Sequence, residues 1–250
     1  AYLDVTKNKQ NIEDPLEIAR RIKAEILDKT QLTCSAGVSY NKFLAKIGSD
    51  LDKPDGLVHI PPERAEEVLF ELPIRKFHGI GKVTAAKMQK LGIMNGHDLY
   101  QWELKDLVKI FGKIGYFYYQ VVRGIDNRDL ITESEPKSIS CETTFDSDIG
   151  NLEELLDIMN KLANRLAERI SRKQISAQSF VLKIKYDNFE NVTRSCTLRD
   201  TSYDSATLYK YGELMLIANW DSALKIRLLG MGVNKLEPGG DCEQLTLPLE

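Results

Sequence analysis

Phe77-His78-Gly79-Ile80-Gly81-Lys82-Val83-Thr84-Ala85-Ala86, followed by Leu91-Gly92-Ile93, is the stretch from which the rest of the chain can be read. Two glycines flanking one apolar residue allow a tight turn between helices, because glycine enters left-handed backbone without a side-chain penalty. The helix that opens after Gly81 then turns its first backbone N–H groups outward. Such a helix-hairpin-helix turn can hold a backbone phosphate on main-chain donors without reading bases. The same glycines also suit an ordinary corner that lets two helices pack. Lys82 and Lys87 favour the phosphate reading, with Gly79, Ile80, Gly81, Lys82 and Thr84 as the candidate contacts.

Around this hairpin, residues 63 to about 130 carry only helix signals: Pro62 before Glu63, Glu66 and Glu67 in a first turn, then Val68, Leu69 and Leu72, with breaks at Gly92, Gly96, Gly112 and Gly115. Upstream, residues 1–62 read as α/β. Strands are predicted at Tyr2 to Thr6, Leu32 to Ser39 and Leu57 to Ile60. One helix opens at Asp14-Pro15, and a second, from Asn41, places Phe43, Leu44, Ile47 and Leu51 on one face before Lys53-Pro54-Asp55-Gly56 turns the chain. Downstream, the polar run Asn127 to Glu135, closed by Pro136, reads as a linker, bounded at 131–137.

Residues 138–235 follow in the order βαββαβ. Ser138 to Phe145 alternates like a strand, and a long helix capped by Asn151 carries an apolar stripe from Leu152 to Ile170. Phe180 to Tyr186 and Val192 to Leu198 form two strands joined at Asp187-Asn188, then come a helix from Ser205 and a strand from Leu224 to Val233. Two helices on such a sheet cover one face and leave the other open. If Phe180, Leu182, Ile184 and Tyr186 face the helices, Lys183 and Lys185 point the other way, joined by Lys225 and Arg227 of the last strand and by the hydroxyls of Thr193, Ser195 and Thr197. A face of this kind can track a sugar-phosphate backbone, or can simply be solvated.

The chain has 250 residues, 42% hydrophobic and 28% charged, which excludes disordered and collagen-like classes and leaves room for more than one core. Its net charge of -3 speaks at first against a nucleic-acid partner. The acidity is local, however: the tail 236–250 holds four acidic residues and no basic one, so the remainder, with 34 basic against 33 acidic residues, is nearly neutral. Cys34, Cys141, Cys196 and Cys242 are scattered, as are His59, His78 and His97, so no zinc or disulfide framework is expected. No apolar run approaches the roughly 18 residues of a membrane helix and nothing resembles a signal peptide, so no membrane partner and a cytoplasmic location are expected.

Taken together and in order, several motifs resemble one family. They are Ala1-Tyr2-Leu3-Asp4, Ser35-Ala36-Gly37-Val38-Ser39-Tyr40-Asn41-Lys42-Phe43-Leu44-Ala45-Lys46, Lys53-Pro54-Asp55-Gly56, Gly79-Ile80-Gly81, Arg123-Gly124-Ile125-Asp126 and Lys137-Ser138-Ile139-Ser140. The chain resembles the Y-family translesion DNA polymerases of the impB/mucB/samB, DNA polymerase IV-like kind. The resemblance implies a multidomain α+β fold: 1–62 as the C-terminal part of an α/β palm, 63–130 as an all-α thumb with the hairpin, 131–137 as linker, 138–235 as a βαββαβ little finger, and 236–250 as a flexible tail.

It also implies template-directed nucleotidyl transfer by a two-metal mechanism, with two Mg²⁺ ions, primer-template DNA and an incoming dNTP. In the family the A-Y-L-D strand follows an Asp-Glu pair, so that pair is expected just before Ala1. The 250-residue piece itself is expected to lack the catalytic carboxylates, to hold no metal and to be inert, since Asp4 would face away from the family's glutamate. Lys53 matches a family lysine on the triphosphate. Lys183, Lys185, Arg194, Lys225 and Arg227 would touch DNA phosphates. Gln244, Leu245, Leu247 and Leu249 resemble the peptide that docks on the bacterial sliding clamp, with Pro248 where many versions have Phe. The alternative, a non-catalytic helix-hairpin-helix DNA-binding module, accounts for the hairpin but not for Lys53-Pro54-Asp55-Gly56; a clamp-associated scaffold accounts only for the tail.

Overall fold

The computed structural model describes residues 1–133, 135–173, 175–198 and 203–238. They fall into two compact units, Ala1–Thr132 and Glu133–Glu250. In the first, helix α1 (Pro15–Thr30) begins where Asp14 accepts a hydrogen bond from the Leu16 amide at 2.9 Å, with proline in the first turn. Strand β1 (Ala36–Ser39) leads into helix α2 (Lys42–Leu51), which returns the chain to β2 (Leu57–Ile60), and the two strands pair in parallel from Ala36 opposite Leu57 to Ser39 opposite Ile60. Phe43, Leu44 and Ile47 are the buried face of α2. Gly37 lets that face sit directly on the sheet, for a Cβ there would lie 2.0 Å from the Ala45 carbonyl oxygen.

Two expected strands are corrected. Tyr2 to Thr6 is not a strand: it pairs with no ladder, and Asp4 instead accepts from the Thr6 amide at 2.9 Å in a local turn. Leu32 to Ser35 also stays outside the sheet, because the Cys34 carbonyl is taken by the ammonium of Lys23, which also binds the Asp55 and Gly56 carbonyls at 2.8 and 3.3 Å.

Helices α3 (Pro62–Glu71), α4 (Lys82–Lys90), α5 (Gly96–Tyr100), α6 (Leu104–Phe111) and α7 (Lys113–Val121) complete this unit. They share one core with α2, in which the Phe43 ring meets Phe77 at 5.8 Å and, edge on, Phe117 at 6.2 Å. The segment after α7 is bolted to the start of α2. The Gly124 carbonyl accepts from the Tyr40 hydroxyl at 3.0 Å and from Asn41 Nδ2 at 2.8 Å, and the Asp126 carboxylate accepts from the Phe43 amide at 3.1 Å. Gly124 has φ +71°, and a Cβ would press on the Tyr40 hydroxyl at 2.7 Å. Asn41 also caps α2, its Oδ1 accepting from the Leu44 amide at 2.9 Å.

The second unit contains β3 (Ser138–Ile149), α8 (Leu152–Lys173), β4 (Ile175–Tyr186), β5 (Asn191–Thr197), α9 (Ser205–Asn219) and β6 (Ile226–Pro238), the expected βαββαβ order. The strands form one antiparallel sheet in the order β3-β6-β4-β5. Leu155, Met159, Leu162, Ala163, Leu166 and Ile170 of α8 and Leu208 and Leu216 of α9 close over Ile139, Cys141, Phe180, Leu182, Ile184, Tyr186, Ile226, Leu229, Met231 and Val233. All of these strand residues lie on one face of the pleat, so both helices cover the same side.

Asp126 is almost fully enclosed, 2% exposed, and its carboxyl is held below the ordinary aspartate range chiefly by hydrogen bonds from the Arg128 guanidinium at 2.6 and 2.8 Å. A depressed folded value stabilises the fold above the unfolded value and ceases to do so as pH falls through the folded one. The native chain should therefore lose melting temperature as pH drops below about 3.9, more steeply than Asp126→Asn. That variant should already be about 1–3 kcal/mol less stable at pH 7. Parallel acid melting curves for the two proteins would refute this.

Candidate nucleic-acid interface

In the hairpin, Gly79 takes φ +92° and Gly81 precedes α4 as its cap residue with no side-chain hydrogen bond. The amides of Lys82, Val83 and Thr84 have no acceptor among the described residues, while the helical ladder starts with Ala85 N–H on the Gly81 carbonyl at 2.9 Å. Lys82 is exposed, and Val83 stands out at 86% exposed. Nothing lies within 4 Å of where a Gly81 Cβ would be, so the backbone is open to close approach. This is a main-chain donor cluster at a helix N-terminus with a lysine beside it.

Ile80 is buried and anchors the turn in the core, its amide bonded to the Phe77 carbonyl at 3.0 Å. Thr84 is half-buried in the first turn of α4, and in the core of this unit burial pushes up the ionisation of Tyr118. Lys87, whose charge favoured the phosphate reading from sequence, is turned elsewhere: its ammonium donates to the Ile110 carbonyl at 2.8 Å and lies 4.8 Å from the Phe111 ring. It braces the corner between α6 and α7.

The uncovered face of the second unit is a grid set by strand register. Its rows run from β3 through β6 and β4 to β5: Thr144, Leu228, Lys185, Asn191; then Glu142, Gly230, Lys183, Thr193; then Ser140, Gly232, Val181, Ser195; then Ser138, Asn234, Ser179, Thr197. Gly230 and Gly232 make a trough along the second column, strand β6. Because Gly230 has no side chain, Lys183 reaches over it to pair with Glu142, Nζ to Oε2 at 2.8 Å. A Cβ on Gly230 would lie 2.9 Å from that of Glu142. Arg227 stands at the irregularity where β6 advances by one residue against β4, paired with Asp148 at 3.6 Å.

Lys183, Lys185 and Arg227 therefore gather on the uncovered side, as the alternation predicted. Arg194 does not join them. It lies opposite Leu182, on the helix-covered side of the edge strand, and its Nε donates to Asn219 Oδ1 at the end of α9 at 3.1 Å. Lys225 precedes β6 and lines a cavity of about 600 Å³ between β3 and α8 with Asp148, Lys161 and Arg165. Sequence reading missed the carboxylates that hold this face's cations, Glu142 and Asp148. The signal for Glu142 is the pairing register, which places it in the Lys183 row and which no single strand reveals.

Lys53 lies on the surface of the first unit, 57% exposed and paired with Asp50 at 2.6 Å. The Asp50 carboxyl is held below its ordinary range by hydrogen bonds from Lys46 first and Lys53 second. Among the described residues no three histidine, cysteine or carboxylate side chains gather as a metal site, so these residues by themselves do not fit a two-ion centre. No described helix is long and apolar enough to cross a membrane. Gln244, Leu245, Leu247 and Leu249 lie outside the described residues.

Comparison with known proteins decides the family. Residues 1–50 match the impB/mucB/samB family, residues 62–93 its HHH motif and residues 136–247 its C-terminal domain. DNA polymerase IV of Listeria monocytogenes is 39% identical over 238 residues, spanning 95% of this chain and 67% of that protein. The chain belongs to the Y-family DNA polymerases. DNA polymerase IV of Clostridioides difficile is 42% identical over 94% of the chain and 65% of its own length. A solved Y-family DNA polymerase chimera superposes with a TM-score of 0.73 at 28% identity, over 94% of this chain and 68% of that one. Membership assigns DNA-directed DNA polymerase activity, and the match over residues 1–50 removes the free-standing hairpin module as an explanation. Glu142→Gln, which releases Lys183 and takes a negative charge off the grid, should tighten duplex DNA binding about twofold to fivefold at low salt, with the gain screened away as salt rises. Unchanged affinity in fluorescence anisotropy would show that this row does not meet DNA.

Proposed function

We propose that this chain supplies the DNA grip of a translesion polymerase, with residues 1–62 as palm, 63–130 as thumb, 131–137 as linker, 138–235 as little finger and 236–250 as tail. The observation that carries this reading is the pairing of two sequence-blind phosphate surfaces in one family member. One is the open amide cluster at Gly81–Thr84 with Lys82. The other is the uncovered grid bearing Lys183, Lys185 and Arg227 between rows of hydroxyls. Neither presents a long forked side chain to a base edge from a groove-reading helix. Both suit a polymerase that must bind any sequence it copies.

The finer roles follow from the same chemistry. Lys53 would serve the triphosphate of the incoming dNTP by exchanging the Asp50 carboxylate for phosphate oxygens, as a point charge. The described residues gather no ligand set for the two Mg²⁺ ions, which in the full polymerase would be held by carboxylates expected before Ala1 and would supply charge neutralisation at the phosphoryl group. This chain's own residues bind and orient the duplex. The tail peptide Gln244, Leu245, Leu247 and Leu249 would dock on the bacterial sliding clamp, keeping a weak grip on the template by raising its local concentration.

A labelled primer-template titrated with the chain should bind with an affinity that falls steeply between low and physiological salt and is indifferent to base sequence. Lys82→Ala and Lys185→Ala should each flatten the salt dependence by about one ion in the log-log slope. Salt-independent or undetectable binding would overturn the grip. Deleting residues 244–250 should abolish co-elution with the sliding clamp while leaving DNA binding intact, and retained co-elution would overturn the docking peptide.

A further inference from the structure

Phe189 belongs neither to the hairpin nor to any strand of the sheet. It occupies the turn between β4 and β5, is 59% exposed, and holds φ +67°, a left-handed backbone that an aromatic residue rarely adopts. The turn enforces this state. Phe189 N–H is bonded to the Tyr186 carbonyl at 3.0 Å, Tyr186 N–H to the Glu190 carbonyl at 3.0 Å, and Asn188 Oδ1 accepts from the Glu190 amide at 2.8 Å. The result is a ring set beside the first row of the uncovered grid, that of Lys185 and Asn191.

Two cations meet that ring. Lys185 Nζ lies 5.0 Å and the Arg227 guanidinium 4.9 Å from its centre. Like charges gathered on one small ring repel each other, and the ring's quadrupole offsets part of that repulsion. Lys185 is in no ion pair among the described residues, and the pair of Arg227 with Asp148, at 3.6 Å, is long. The irregularity between β4 and β6 at Lys185/Tyr186 aims Arg227 at the same spot. A turn strained to present an aromatic ring, and two cations converging on it with one distant counter-charge, make a site short of an anion.

We propose that Phe189 is a positioning residue. Its ring braces Lys185 and Arg227 so that they act together as one subsite for a phosphodiester of the DNA backbone, at the end of the uncovered sheet face. The inference rests on the DNA-gripping reading and adds to it a residue that does not itself carry charge. The competing account is that Phe189 merely shields the aliphatic stems of its neighbours, a role leucine fills equally well.

The test titrates the 250-residue chain and its variants against a labelled primer-template duplex across a salt series, with melting temperatures in parallel. Phe189→Tyr keeps the ring and should bind like the native chain. Phe189→Leu should weaken binding about threefold to tenfold and flatten the log-log salt slope by about one. Phe189→Gly removes the ring and the backbone strain together, and should weaken binding as much without melting lower. In a Lys185→Ala/Arg227→Ala background, Phe189→Leu should cost nothing further. Native-like affinity and slope for Phe189→Leu, or an undiminished loss in that background, would overturn the brace alone. A native chain that binds no duplex at any salt would overturn the gripping reading, and the brace with it.

Discussion

Two helices cannot cover both faces of a four-stranded sheet, and the second unit is organised by that shortage. With α8 and α9 on one side, every strand must alternate, and the apolar half is spent in a single core from Ile139 to Val233. The other half must live with water or with a polar ligand. Here it carries hydroxyls, three cations and two glycines, while its two aliphatic residues, Val181 and Leu228, lie in separate rows among polar neighbours. Gly230 and Gly232 lower the middle of the face, so that side chains from β3 and β4 can meet across it, as Lys183 and Glu142 do. A sheet that must face a backbone of fixed curvature gains from such a trough, since long side chains can fold aside into it.

A second constraint governs the first unit. Two of the motifs that carry the family resemblance, Tyr40-Asn41-Lys42-Phe43 and Arg123-Gly124-Ile125-Asp126, hold each other. One glycine carbonyl accepts two side-chain hydrogen bonds, and one enclosed carboxylate meets the amide end of α2. The Arg123 guanidinium is likewise consumed, stacked 3.5 Å from Tyr119 and 4.4 Å from Tyr100 while donating to both their carbonyls. Residues about eighty positions apart thus form a joint between the α/β portion and the helical portion. The sharp local pattern reflects geometry: only glycine fits beside the Tyr40 hydroxyl, and only a short acceptor such as aspartate reaches the helix start.

What could be read from sequence follows from the range of the forces involved. Caps at Asp14, Asn41 and Asn151, the apolar stripe of α8 and the alternation of Phe180 to Tyr186 are local, and the elements formed where they pointed. Tyr2 to Thr6 and Leu32 to Ser35 failed for a non-local reason, since a strand exists only where a ladder partner does, and a single lysine, Lys23, took the carbonyl of Cys34. In the interface, Lys183, Lys185 and Arg227 were legible by period two. Arg194 was not, because on a short edge strand its face depends on registry with Leu182. Lys87 was misjudged for the same reason: its partner, the Ile110 carbonyl, comes from a neighbouring helix whose approach no local pattern encodes.

The charge balance makes the last connection. A net charge of -3 is compatible with a DNA grip because the uncovered face keeps part of its positive charge in internal pairs, Lys183 with Glu142 and Arg227 with Asp148. Exposed pairs of this kind contribute little to stability. On the proposed reading their consequence is for binding: each phosphate would have to displace a carboxylate as well as a counterion, which would weaken the grip without altering its shape. A polymerase that has to advance along its template after every addition is better served by a face that neither pins the duplex nor collapses when the duplex leaves. Carboxylates able to take the cations back between contacts would provide that, as the Lys183–Glu142 and Arg227–Asp148 pairs are placed to do.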